Sequence, residues 1–191
     1  MDTTDALQKN ILDATLRVFD RKGLKFTMDD LAKELSISKK TIYTVYDDKE
    51  ALFLAMVDYI FDSIKESEQM ILTDPALGTI EKLHRILGVL PEGYQNIDLR
   101  KLYSLRDKYP KIYHKVELRL ETGWEPTIQL IETGMAEGSI RPVPICPVKM
   151  MLEASIEQFF QRDILAQNHL TYVDALNEVV NILMYGITQR Q

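Results

Sequence analysis

The stretch SISKKTIYTVYDDKE, residues 36–50, crowds Lys39, Lys40, Thr41, Tyr43 and Thr44 into six positions. If Ser38 caps a helix reaching about Tyr46, steps of about 100° per residue gather Lys39, Lys40, Tyr43 and Thr44 into one sector, with Ile42, Val45 and Tyr46 opposite. A helix this short is not stable alone, so its apolar side must be pressed onto neighbouring helices while the donor side faces outward. Long cations, hydroxyls and a phenol suit base edges and phosphates in a DNA major groove. Lys49, at the start of the next helix, adds charge where a helix N-terminus already favours phosphate, and Thr27 brings a hydroxyl to the start of the preceding helix. Each of these residues taken singly is also an ordinary solvated side chain. The reading rests on their sharing a face.

The elements that must position this face are helical, because apolar residues recur at helical spacing throughout and no period-two pattern survives. A first helix is expected from about Thr4 to Lys22, with Leu7, Ile11, Leu12, Leu16 and Phe19 on one stripe and Gly23 as its stop. Thr27 opens a second helix as N-cap, and Asp30 three residues on completes a Thr-x-x-Asp capping box. Leu31, Ala32 and Leu35 form its buried side, and the turn Ser36–Ile37–Ser38 leads into the donor-faced helix. Three short helices with a tight turn between the second and third form a helix-turn-helix unit. A long fourth helix is expected from Asp47 or Asp48 to about Leu72. Shorter helices follow in TIEKLHRILGVL, NIDLRKLYSLRDKY and PKIYHKVELRLETGW, then one from about Pro126 to Gly134–Gly138, and two last ones near 148–167 and 171–188.

Bulk properties narrow the class. The chain has 191 residues and 46% hydrophobic content, enough to bury a real core. One cysteine, Cys146, excludes an internal disulfide and fits a reducing interior. The acidic start lacks a secretory pattern, and the densest apolar run, ALFLAMV at 51–57, is too short to span a bilayer, so a cytoplasmic protein without a membrane partner is expected. A net charge of -6 argues against non-specific coating of nucleic acid. Its distribution matters more. The first 49 residues hold nine Lys or Arg and nine Asp or Glu, so the whole acidic excess lies beyond them.

The run Ser38, Lys39, Lys40, Thr41, Ile42, Tyr43, Thr44, Val45, Tyr46, Asp47, Asp48, Lys49, Glu50, Ala51, Leu52 resembles the S-x-G-T-[LI]-Y-x-[YH]-[FY]-x-x-K-E-x-L pattern of the tetracycline-repressor-type (TetR) bacterial transcriptional regulators. The resemblance covers about residues 7–53. Lys40 stands where a glycine is frequent, and Val45 where an aromatic or histidine often touches phosphate, so Val45 is assigned no DNA contact. Further on, YPKIYHKV and GMAEGSIRP resemble the family's segments around its long seventh helix. The resemblance implies an all-α fold: a helix-turn-helix DNA-binding domain over 1–47 and a helical ligand-binding and dimerisation domain over 48–191. It implies a homodimer on an inverted-repeat operator in double-stranded DNA, most often a repressor, released when a small-molecule effector changes the separation of the two heads.

Aromatic and methionine content in the larger part suggests an apolar or amphipathic effector. Candidate lining residues are Met56, Tyr59, Leu83, Leu87, Leu102, Tyr103, Tyr113, Leu120 and Trp124, with plain core packing as the competing reading. For the dimer interface, Leu152, Ile156, Phe159 and Phe160 in one helix, and Leu176, Val179, Val180, Leu183, Met184 and Ile187 in the last, recur at 3-4 spacing. Alternatively, both helices only complete the monomer core. Two other functions compete: an α-helical interaction module that has lost DNA binding, and a helical-bundle metal enzyme. Glu81 and His84 have the spacing of di-iron bundles, but the second pair, His114 and Glu117, is reversed. No catalytic residue, metal ligand or cofactor is therefore assigned, and the protein is read as a regulator rather than an enzyme.

Overall fold

The computed structural model describes residues 3–91, 94, 105–161 and 164–189. These residues are helical, apart from loops and an isolated antiparallel bridge between Ile140 and Thr188. The helices are α1 (Thr3–Lys22), α2 (Met28–Leu35), α3 (Lys39–Tyr43), α4 (Lys49–Thr73), α5 (Thr79–Leu87), α6 (Leu105–Lys108), α7 (Pro110–Glu121), α8 (Glu125–Ala136), α9 (Ile145–Gln161), α10 (Ile164–Gln167) and α11 (Tyr172–Ile187). None among the described residues is long and apolar enough to cross a membrane. The expected all-α class is the observed one, and most expected helices stand within a few residues of their predicted bounds. Most of the helix expected in NIDLRKLYSLRDKY lies outside the described residues, and only α6 represents it.

The chain forms two compact units, Met1–Asp62 with Ile97–Glu117 and Ser63–Asn96 with Leu118–Gln191. The three helices of the helix-turn-helix share their unit with the first turns of α4. In this first unit Phe53 sits edge-on between Phe19 and Phe26, at 5.6 and 5.4 Å between ring centroids, with Tyr109 at 5.4 Å on the same ring. Such offset aromatic contacts add to the area each ring removes from water. Ile11, Leu31, Ile42 and Leu52 are fully buried beside them, so α3 is anchored by the single isoleucine in its centre.

The second unit is built on one apolar cluster from α5, α8, α9 and α11 that includes Leu83, Leu87, Ile131, Ile140, Leu152, Leu176, Val180 and Leu183. Gly134 lets Ile140 fold back onto α8, since an added Cβ would lie 2.6 Å from the Ile140 side chain. The bridge at Ile140 and Thr188 closes this turn against the end of α11, with Arg141 N–H donating to Ile187 O at 2.9 Å.

Candidate nucleic-acid interface

α3 is positioned by caps before it is positioned by packing. At Thr27 the expected capping box forms: Asp30 N–H donates to Thr27 Oγ1 at 3.2 Å and Thr27 N–H donates to Asp30 Oδ2 at 2.9 Å. Lys22 donates to Asp30 Oδ1 at 2.7 Å, and this bond, more than those from Thr27, pulls the carboxyl down to about 2. Arg17 and Arg21 both reach Glu34, tying α1 to the other end of α2. Ser36 takes a left-handed φ of 55°, and Ile37 N–H returns to Ala32 O at 3.0 Å, which turns the chain sharply toward α3. Ser38 Oγ then accepts from Thr41 N–H at 3.1 Å as N-cap.

α3 is shorter than its sequence suggests, ending at Tyr43 instead of about Tyr46. Thr41, Ile42, Thr44 and Val45 are β-branched and lose side-chain freedom in a helix, and Val45 and Tyr46 N–H both converge on Ile42 O, so the last turn tightens and stops. The outward face survives this. Lys39, Lys40, Tyr43 and Thr44 are all exposed, and Tyr43 keeps 45% of its surface in water. Lys40 has no ion pair among the described residues. Lys39 is held by Asp29 at 3.0 Å, a partner on α2 that the sequence reading did not foresee. Thr44 turns its hydroxyl onto Thr41 O at 2.7 Å, and the half-buried Thr41 shares its own hydroxyl with Ser38 at 2.9 Å.

Lys49 is engaged by the protein itself. Its ammonium donates to Leu24 O at 2.9 Å and to Phe26 O, and lies 4.1 Å from the centroid of the Phe26 ring. Burial lowers its pKa, as does nearby Lys108, with Asp30 opposing. The cation therefore caps the carbonyls of the turn that follows α1, and the N-terminus of α4 is served by Asp48, whose carboxylate accepts from Ala51 N–H at 2.7 Å. Thr27 likewise spends its hydroxyl on Asp30, at 3.0 Å. Of the seven residues expected to meet DNA, α3 presents Lys39, Lys40, Tyr43 and Thr44 together. Thr27, Thr41 and Lys49 act first on the protein itself. A sequence sign of the inward lysine existed in Phe26 and Phe53, two rings whose neighbourhood attracts a cation.

The described residues expected around an effector are divided between the two units. Met56 is fully buried in the first unit, where Tyr59 donates to Asp13 at 2.7 Å and Tyr113 is half-buried. Leu83 and Leu87 belong to the core of the second unit, Trp124 packs against that core while donating to Leu120 O at 2.9 Å, and Leu102 and Tyr103 lie outside the described residues. A cleft of about 710 Å³ opens in the second unit, and none of the seven described candidates lines it. The expected interface residues are similarly placed inward. Leu152, Leu176, Val180, Leu183, Met184 and Ile187 are buried in the chain's own core; Ile156 and Val179 pack on it half-buried; Phe159 meets Tyr172 edge-on at 6.0 Å; and the Phe160 side chain lies outside the described residues. The apolar side chains left in water on these helices are Met150, Met151, Ile182 and Tyr185. His84, read as half of a possible metal pair, is hydrogen-bonded to Asn181 at 2.8 Å.

Residues 11–56 match the profile of the bacterial regulatory proteins, tetR family. Over 182 residues the chain is 28% identical to the HTH-type transcriptional regulator YvaF of Bacillus subtilis (strain 168), covering 95% of this chain and 96% of that one. Its fold matches a TetR transcription regulator from Haloarcula marismortui with a TM-score of 0.76 at 20% identity, over 97% of this chain and 100% of the other. It also matches the regulator FadR of Bacillus subtilis, solved with stearoyl-CoA, with a TM-score of 0.62 at 18% identity, over 94% and 98%.

Proposed function

We infer, for what is a TetR-family transcriptional regulator with a helix-turn-helix DNA-binding domain, that it acts as a homodimeric repressor which a small molecule releases from an inverted-repeat operator. The observation that carries the DNA side is the α3 surface: a capped helix anchored by Ile42 that turns Lys39, Lys40, Tyr43 and Thr44 to solvent. Lys40 and Tyr43 are the foremost contacts, because neither has its polar group engaged by the described protein. Lys39 exchanges Asp29 for phosphate on binding. Thr44 contributes its methyl and its hydroxyl oxygen as an acceptor, the proton being given to Thr41 O. Thr27 is exposed at the start of α2 and reaches DNA only by exchanging the bond of its hydroxyl to Asp30.

The second copy meets the exposed stripes of α9 and α11, through Met150 and Met151 on one and Ile182 beside the open surface at Gly186 on the other. Two heads related by a two-fold axis read half-sites about 34 Å apart. A small molecule in the second unit acts by binding the DNA-incompetent arrangement better, with a coupling of about 1 to 3 kcal/mol. α4, whose turns belong to both units, carries that difference. FadR, with its bound stearoyl-CoA, supports an effector site in a fold of this kind.

Selection of the purified protein against random DNA duplexes tests the reading. An enriched inverted repeat that a Lys40→Ala/Tyr43→Ala variant fails to retain is the expected result. A folded dimer that enriches nothing would instead favour the interaction-module alternative.

A further inference from the structure

The cleft in the second unit has the size of a small-molecule site, about 710 Å³ against the roughly 300–1,000 Å³ usual for such sites. Three segments wall it: the first turns of α5, the turn after α8, and one stripe of α11. Asn181, Met184, Tyr185 and Thr188 recur at 3-4 spacing along that stripe. Its centre is about 100° around the helix from the stripe of Glu178, Ile182 and Gly186, so the cleft and the proposed dimer face use different sides of α11.

Most of the polar groups in this cleft satisfy one another. His84 and Asn181 are hydrogen-bonded at 2.8 Å, Arg85 and Glu81 pair at 2.6 Å, and the Thr188 hydroxyl donates to Met184 O at 2.6 Å. Glu137 is different: it lines the cleft and has no ion-pair partner among the described residues. It stands at the C-terminus of α8, where the helix dipole adds further negative potential. Ile80 and Met184 add apolar surface to the lining, and Tyr185, which also lines the cleft, is 79% exposed, a large aromatic left in water with no ring partner among the described residues. With Glu81 neutralised by Arg85, the uncompensated charge of the lining is one carboxylate, in a cleft that also holds a tyrosine and a polarisable thioether. All the acidic excess of the chain lies beyond residue 49, which favours approach of a cation.

We propose that this cleft is the effector site and takes an amphipathic organic cation, a protonated amine on an apolar or aromatic body. The ammonium sits at Glu137 and the body lies against Tyr185, Met184 and Ile80. The assignment rests on the reading that a small molecule controls DNA binding.

Three probes with one body and different heads, 4-phenylbutylamine, 4-phenylbutanoic acid and 4-phenylbutanol, are titrated calorimetrically into the full chain and into Glu137→Gln, Tyr185→Ala and Glu132→Gln. Glu132 is exposed on the same helix and lies outside the cleft. The amine is expected to bind about tenfold tighter than the alcohol. Glu137→Gln removes that preference, Tyr185→Ala weakens the amine by about threefold, and Glu132→Gln changes nothing. Equal or tighter binding of the acid or the alcohol, or a preference that survives Glu137→Gln, overturns the proposal, as does the absence of any binding. Retention of a selected operator duplex is measured in parallel. Amine binding that lowers it supports the effector role, whereas amine binding that leaves it unchanged contradicts that role. A chain that binds duplex but no amine keeps the regulator reading and loses the cleft; one that binds the amine but no duplex loses the regulator reading instead.

Discussion

The two ends of this chain use the same helical vocabulary with opposite informational content. In the first 49 residues, side chains fix the backbone locally through a capping box at Thr27 and a serine cap at Ser38, and one longer-range clamp, Lys49 on two carbonyls, is added to these. α11 is opened by a capping box of the same kind, Thr171 with Asp174, but in α9 and α11 nothing local decides which side is buried, because each helix carries apolar residues on more than one side. Leu183 and Ile182 are neighbours in sequence, yet the first lies in the core at 5% exposure and the second in water at 58%. A short helix with one apolar side, such as α3, announces its outward face, whereas a helix that is apolar nearly all round does not say which side meets the chain and which a second copy.

The largest test of this contrast is that neighbouring pair. Leu183→Ala should cost about 2–5 kcal/mol of stability through transfer and cavity terms. Ile182→Ala should cost the monomer fold less than about 0.5 kcal/mol while weakening dimerisation. Thermal melts read with sedimentation as a function of concentration separate the two effects, and similar losses of stability in both variants would break the distinction between core and interface.

That distinction marks where sequence reading stopped. Thr27, Asp30 and Ser38 were identifiable because each cap joins residues three apart, and Ile42 because α3 has only one side to bury. The 3-4 stripe of Leu176, Val180, Leu183 and Ile187 was equally visible, but an apolar stripe looks the same whether its neighbour is α5 or a second copy. The cleft was hidden for a related reason: it is assembled from three segments, and its distinctive residue, Glu137, stands out only by lacking a partner. The clamp made by Lys49 is not legible, because its position at a helix start suits phosphate equally, while the carbonyls it caps come from a turn 23 and 25 residues earlier.

Smaller effects sharpen the account of the head. Thr27→Ala should cost about 1 kcal/mol by removing the N-cap of α2, measured by chemical denaturation. Tyr43→Ala should weaken operator binding while leaving the melting temperature and dimer unchanged; unaltered affinity would remove Tyr43 from the contact surface. The smallest effect concerns pH. The carboxyl of Asp30 is depressed from 3.8 to about 2 on folding, so its stabilising contribution is fully present above pH 3.8 and is lost as pH falls through 2. The wild-type chain should therefore lose more stability between pH 4 and pH 2 than Asp30→Asn does, as read from denaturation midpoints.

The measurement that bears most directly on the whole account compares Lys40→Ala with Lys49→Met for affinity toward a selected duplex across a range of salt, together with their stabilities. If outward donors read DNA and the inward lysine holds the head, Lys40→Ala makes the salt slope shallower by about 0.9 and leaves stability unchanged. Lys49→Met keeps the slope and loses about 1–3 kcal/mol of stability, because two buried carbonyls are left without their donor. A shallower slope with intact stability in Lys49→Met, beside an unaffected Lys40→Ala, would contradict it.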